Sequence, residues 1–504
     1  MKNKTIDIQL EPKTYINSLE HLLNILLPDN NLNFHQEDFN NNPLIRLKLD
    51  EDAEESGPLK TELVLEDGDN QHREVHYHDE ILDPRYSGDD YQRRGRDLLK
   101  NHLYTFLCDY LGKEKSPWGI LVGIRPTKIV HFLRDKGFNY SEIRGILKEV
   151  YGISQEKIQL ITRICEIEER YLPKKSEARK RLSLYIGIPF CPSRCSYCSF
   201  PSFSLKKHGR YMKPFLETLL QEIETVGSFI KENNLEVDSI YLGGGTPTSL
   251  SSQQLERLLT HLADNISTDN LKEYTVEGGR PDTITREKLK ILHDARVERI
   301  SINPQTMCQQ TLEAIGREHT IAEVKDSFHL AKEIGFENIN MDLIVGLPGE
   351  KMTDIERTME ELLQLGPESV TVHTLSLKKA SKWWDWADEL PFPDEEELTR
   401  MLNYVATTLK AHNRLPYYMY RQKYILANQE NVGYSLPGKE SLYNMIMIDE
   451  RETVIGLGGG AVTKAVNPDD WSLSRHYNPK HPAEYISNID QILDKKLSML
   501  TSFL

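Results

Sequence analysis

No stretch of the 504 residues approaches the roughly 20 uninterrupted apolar residues that would cross a bilayer. The opening Met-Lys-Asn-Lys-Thr-Ile-Asp-Ile also has no apolar core of the kind a signal peptide carries. A cytoplasmic chain without a membrane span is therefore expected. Cysteine is scarce too: six in 504 residues are too few for a disulfide framework and suit a reducing compartment. Basic residues are outnumbered by acidic ones, 62 to 77, which leaves a formal charge of -15. Such a surface repels a phosphate backbone at long range, so nucleic acid is not an expected partner. Internal repeats and low-complexity tracts are absent. With 38% hydrophobic and 28% charged residues, the composition is that of a folded, multidomain globular protein.

Residues 1–175 are expected to form an α+β accessory domain. Strand-like runs at Thr5 to Leu10, Leu44 to Leu49 and Lys60 to Leu65 are followed by helical patterns from Tyr91 to Tyr171. His72, His76 and His78 alternate along a further exposed strand. With no clustered cysteine or defined loop beside them, they read as strand surface rather than as a metal site. From Leu182 the rhythm changes to six apolar strands separated by five helix-period segments, ending with Ser369 to Leu375. This predicts an α/β fold in residues 176–380, a TIM-like partial barrel of about six βα units or an open doubly wound sheet. In either, loops at the carboxyl ends of the strands carry the chemistry. Residues 381–504 are expected to form a C-terminal cap, with an aromatic and basic stretch around Tyr417 to Tyr424, a glycine loop at Gly456 to Gly460, and helix to the end.

Three of the six cysteines fall within eight residues. The first strand of the alternating region delivers Cys191-Pro-Ser-Arg-Cys195-Ser-Tyr-Cys198. Clustered thiolates select soft or borderline metals and iron–sulfur clusters. A structural zinc site would want a second cysteine or histidine pair, and none follows at the usual spacing. Three thiolates on a four-iron cubane leave one iron open. The second strand ends in Gly243-Gly-Gly-Thr-Pro-Thr248, where backbone groups can approach a ligand closely.

The Cys-x3-Cys-x2-Cys run, with Tyr197 before its last cysteine, resembles the signature of radical S-adenosylmethionine (SAM) enzymes. Together with Ile188-Pro-Phe-Cys-Pro192 and Gly-Gly-Gly-Thr-Pro-Thr it is similar to the oxygen-independent coproporphyrinogen III oxidase family. Trp118 to Lys128, Pro416 to Tyr424 and Asn431 to Tyr434 resemble its HemZ-type branch of coproporphyrinogen dehydrogenase-like proteins.

The resemblance implies a radical SAM partial barrel with a 4Fe–4S cluster on Cys191, Cys195 and Cys198. It also implies SAM contacts from Tyr185, Tyr197, Gly244, Gly245, Thr246, Glu277, Gln305, Arg317 and Asp342. Arg317 suits the cofactor's carboxylate, Gln305 and Asp342 its ribose, and Glu277 its sulfonium or ribose side. No protein side chain need act as a nucleophile. The implied reaction is decarboxylation of coproporphyrinogen III propionates to vinyl groups through a 5′-deoxyadenosyl radical. Flavodoxin or ferredoxin would serve as electron donor.

Arg421, Lys423 and Tyr418 are candidate contacts to the anionic macrocycle, with Arg414, Lys378, Lys379, Tyr417 and Tyr420 nearby in sequence. His373, at the end of the sixth strand, is expected to face the same site. The family's fourth cysteine, two positions after the last ligand, is Phe200 here. Heme chaperones and enzymes that methylate or open a tetrapyrrole therefore stand as alternative functions.

Overall fold

The computed structural model describes all residues except 1–3, 29, 35–41, 51–58, 79–82, 87–88, 123–124, 423–424 and 504. The chain forms two compact units, Met1–Arg163 and Ile164–Leu504.

The first unit holds a mixed sheet in the order β2-β1-β3-β4-β5. Its strands are β1 (Thr5–Glu11), β2 (Asn31–Phe34), β3 (Leu44–Asp50), β4 (Leu59–Asp67) and β5 (Asn70–His78). β1 runs parallel to both β2 and β3, while β4 is antiparallel to β3 and β5. The helices Ile16–Leu26 and Asp89–Leu111 pack on it, the second burying Leu98, Leu99, Leu103, Phe106 and Leu107 at helical spacing. Asn139 and Glu142 form a reciprocal cap at the start of Tyr140–Glu149.

The second unit is α/β. β6 (Arg181–Ile188), β9 (Glu236–Gly244), β10 (Glu273–Glu277), β11 (Arg299–Ser301), β12 (Asn338–Val345) and β13 (Ser369–Thr374) are all parallel and adjacent in chain order. A short parallel pair, β7 (Phe190–Cys191) and β8 (Phe203–Ser204), brackets the cysteine loop. Helices cover the strands, so these read as nearly continuous apolar runs, as buried parallel strands do. The crossover helices Ser252–Asn265 and Ile321–Ile334 begin with reciprocal caps at Ser251 and Thr320.

The segment after residue 380 does more than cover the six-strand array. β14 (Leu415–Tyr420) and β15 (Asn431–Ser435) add antiparallel strands beyond β13. At the other edge β16 (Thr453–Gly458) pairs parallel with β6, and β17 (Val462–Val466) and β18 (Leu473–Tyr477) follow antiparallel. The sheet therefore has eleven strands, in the order β14-β15-β13-β12-β11-β10-β9-β6-β16-β17-β18, and among the described residues it does not close. The expectation of helix from the glycine loop to the end is corrected here. Two strands precede the helices Pro482–Ser487 and Ile489–Thr501.

Candidate active site

The cysteine loop leaves β6 and is stitched down by its neighbour. Gly245 N–H donates to Ile188 O and Thr246 N–H to Phe190 O, both at 2.8 Å. Gly244 has φ +110°, and a Cβ on Gly245 would stand 2.5 Å from Phe190 O. These glycines let two backbones touch. The amide donors of Gly245 and Thr246 are spent on the loop itself, while Thr246 Oγ1 lies 3.7 Å from Cys191 Sγ.

The other face of the loop is held by the segment after β13. Arg194 donates to Ala380 O at 2.7 Å, and Lys382 N–H donates to Ser196 O at 3.0 Å. Tyr197 joins Leu312, Ile315, Leu375 and Trp383 in an apolar cluster beneath it.

Cys191, Cys195 and Cys198 are all free thiols. Burial pushes the Cys191 thiol up to about 12 and raises that of Cys198. Buried thiols of this kind bind metal with release of their protons. Arg280, which sequence reasoning missed, faces the loop. Its guanidinium is clamped by Asp282 through two 2.8 Å bonds and reaches Ser193 Oγ at 3.0 Å and Cys195 Sγ at 3.9 Å. Its position three residues after Glu277, with Asp282 two further on, was the available signal.

Around the mouth of the parallel strands lies a carboxylate-rich floor. Glu277 ends β10, and Tyr241 donates to its Oε1 at 2.5 Å. Burial drives the Glu277 carboxyl up to about 7, against the lowering effect of the Tyr241 hydroxyl. Tyr185, Tyr241 and Tyr443 stack beside it, the last two with centroids 4.4 Å apart.

Asp342, on β12, receives Asn340 Nδ2 at 2.8 Å and lies 3.6 Å from His373 Nε2. Burial works against its charge, but the imidazole of His373 and the Asn340 amide hold the carboxyl below its ordinary range. His373 in turn contacts Tyr420 Oη at 3.0 Å through Nδ1. Gln305 sits between these elements with φ +69°, its backbone bridged to Leu343 and its buried Oε1 without a hydrogen-bond partner. A strained residue presenting an orphaned acceptor is characteristic of a ligand site.

Four of the candidate residues have polar groups engaged within the chain itself. Arg317 is only 5% exposed and spends its terminal nitrogens on Tyr197 Oη at 3.0 Å and on Gly279 O and Asn303 O at 2.7 Å. Only Nε lacks a partner, and in the ligand-free chain the arginine braces three loops. Arg421 donates to Asn428 O at 2.8 Å, Asn428 Oδ1 at 2.7 Å and Gln429 O at 3.4 Å, and burial lowers it to about 10. It anchors a turn. Tyr418 is buried with its hydroxyl on Thr371 at 3.4 Å, and Arg414 is held by Pro367 O and His412 O. Lys423 lies outside the described residues. Lys378 is half-buried, with no carboxylate paired to it among the described residues, and burial lowers its pKa. Phe200, in the fourth-cysteine position, is 66% exposed.

The donor set fits a cluster and SAM. Three thiols share one loop, two carboxyl groups suit a sulfonium and ribose hydroxyls, and Gln305 Oε1 awaits a donor.

The chain is similar to several known proteins. Residues 185–362 match the radical SAM superfamily. The oxygen-independent coproporphyrinogen-III oxidase-like protein HemZ of Bacillus subtilis is 42% identical over 419 residues, 82% of this chain and 84% of that one. Heme chaperone HemW of Lactococcus lactis is 34% identical over 321 residues, 63% of this chain and 79% of its own. Among solved structures, coproporphyrinogen III oxidase (HemN) of Escherichia coli, described as a radical SAM enzyme, superposes with a TM-score of 0.51 at 21% identity, covering 63% of this chain and 71% of that one.

Fold and site together define a radical SAM protein, which uses a 4Fe–4S cluster and S-adenosylmethionine. Within that superfamily the chain belongs to the family of oxygen-independent coproporphyrinogen III oxidase-like proteins that includes HemZ and HemW. No helix among the described residues is long and apolar enough to cross a membrane.

Proposed function

We propose that the protein oxidatively decarboxylates propionate side chains of coproporphyrinogen III without oxygen. The observation that supports this reading is the three-thiol loop at the end of β6, bonded to the segment after β13 that bears Lys378, together with the buried carboxyl groups of Glu277 and Asp342 on the same parallel sheet. The segment bearing Lys378 is bonded directly to the cysteine loop through Ala380 O and Lys382 N–H. A propionate placed there meets a positive partner beside the reactive centre.

When bound, the cluster and SAM supply a carbon-centred radical able to remove an unactivated hydrogen, which no side chain here can do. Cys191, Cys195 and Cys198 would hold the cluster. Glu277 would face the sulfonium of SAM, Asp342 and Gln305 would accept from its ribose hydroxyls, and Tyr185, Tyr241 and Tyr443 would wall out water. Lys378 would orient the carboxylate that leaves as carbon dioxide. The remaining electron would pass to an external acceptor, and a flavodoxin or ferredoxin would reduce the cluster.

The exposed Phe200 favours a second reading, heme chaperoning, because no fourth thiol stands beside the cluster loop. The deciding assay is mass spectrometry of coproporphyrinogen III after anaerobic incubation with reconstituted protein, reductant and SAM. The proposal expects loss of carbon dioxide and hydrogen from propionates, matched by 5′-deoxyadenosine. Unchanged tetrapyrrole with stable heme binding would select the chaperone.

A further inference from the structure

In the first unit, β5 carries Glu74 and His76 two residues apart, so both side chains leave the same face of this edge strand. The helix Asp89–Leu111 brings His102 against that face. Glu74 Oε2 lies 3.6 Å from His102 Nε2 and 3.7 Å from His76 Nε2. Both distances are too long for hydrogen bonds. They are close to the separation of about 3.3 Å between donor atoms around a tetrahedral zinc with bonds of about 2.0–2.1 Å. One potential donor atom from each of the three residues lies within 4.8 Å of the other two.

His102 is the independent sign of a ligand. It is 3% exposed, and its Nε2 has no hydrogen-bond partner. A buried polar atom left so costs about 1–3 kcal/mol unless something else satisfies it. Its other nitrogen is fixed: Nδ1 lies 2.9 Å from Thr61 Oγ1, which lies 3.0 Å from His78 Nε2. One assignment satisfies this chain, with His102 Nδ1–H donating to Thr61 Oγ1 and the threonine hydroxyl donating to His78. The lone pair of His102 then sits on Nε2, facing Glu74 and His76, which is the tautomer a metal requires. The rings of His76 and His102 stack at 3.9 Å and 12°. Glu74 and His76 are nearly half exposed and free to turn toward an ion.

We propose that Glu74, His76 and His102 bind one zinc ion, with water completing the tetrahedron on the exposed side. Two imidazoles and one carboxylate form a borderline donor set suited to zinc and unlike the thiolate set of the cluster loop. Thr61 acts as the positioning residue.

The test uses the untagged full chain with its cluster reconstituted, supplied with zinc without air, and metal analysis after gel filtration. One zinc per chain is expected beside the cluster iron. His76→Ala and Glu74→Gln, both surface changes, should each weaken zinc at least tenfold while iron content and circular dichroism stay the same. Thr61→Val should weaken it about 10–100-fold by freeing the His102 ring. A chain with Cys191→Ser, Cys195→Ser and Cys198→Ser should lose iron and keep zinc. Absence of zinc from the wild-type chain, zinc indifferent to His76→Ala and Glu74→Gln, or zinc lost with the cysteines would each overturn the proposal.

Discussion

Replacing Glu277 with glutamine separates the cost of the site from its use. In the cofactor-free chain the Glu277 carboxyl keeps its proton up to about 7, whereas its ordinary value is 4.5, because burial penalises the charge. The native state therefore binds more protons than the unfolded state between these values, and stability falls as pH rises through that window. A displacement from 4.5 to about 7 corresponds to about 3 kcal/mol. Glutamine retains an acceptor for Tyr241 and cannot ionise.

The stability of Glu277→Gln relative to wild type should accordingly rise by about 2–3 kcal/mol between pH 4.5 and pH 8, a shift of several degrees in the melting of the cofactor-free chain. The same variant should bind SAM about tenfold or more weakly, since a charge-assisted partner of the sulfonium is gone. Parallel melting profiles for variant and wild type across this pH range would refute the reasoning, because they would mean that Glu277 is not held neutral by burial.

Gly245→Ala should drive a methyl group into Phe190 O, costing about 1–3 kcal/mol of stability. Iron per chain after reconstitution should fall with it; full iron loading at wild-type stability would show that the close approach is not needed. Lys378→Ala should raise KM for the tetrapyrrole about tenfold or more while leaving substrate-free SAM cleavage unchanged. Equal loss of both, measured as 5′-deoxyadenosine, would remove Lys378 from substrate binding. Arg421→Met should lower the melting temperature by freeing Asn428 O and Gln429 O, with substrate affinity of the folded fraction unaltered. A selective KM effect with wild-type melting would restore a substrate role.

The parallel core was legible because buried parallel strands are written as unbroken apolar runs. Asn338–Val345 and Glu273–Glu277 fall where those runs do, and the helix Ile321–Ile334 follows its capping threonine. The edge strands were not. Val462–Val466 and Leu473–Tyr477 are five residues each, too short to separate strand from helix by periodicity. β16 pairs with β6 across some 270 residues of chain, for which local sequence holds no signal.

The cysteine cluster was visible because its spacing is itself the chemistry. Arginine roles were not, because a sequence shows the charge and hides the partner. Arg317, Arg414 and Arg421 all give donors to backbone carbonyls that only the fold brings near. His102 was hidden for the same reason: it lies 26 residues beyond His76, and neither segment alone looks like a metal site.

Mössbauer spectroscopy of the reconstituted chain, before and after adding SAM, tests the central claim most directly. Three cysteine ligands predict a four-iron cubane in which one iron differs from the other three and alone shifts when SAM is added. Four equivalent irons insensitive to SAM, or no cubane on a chain that retains Cys191, Cys195 and Cys198, would contradict it.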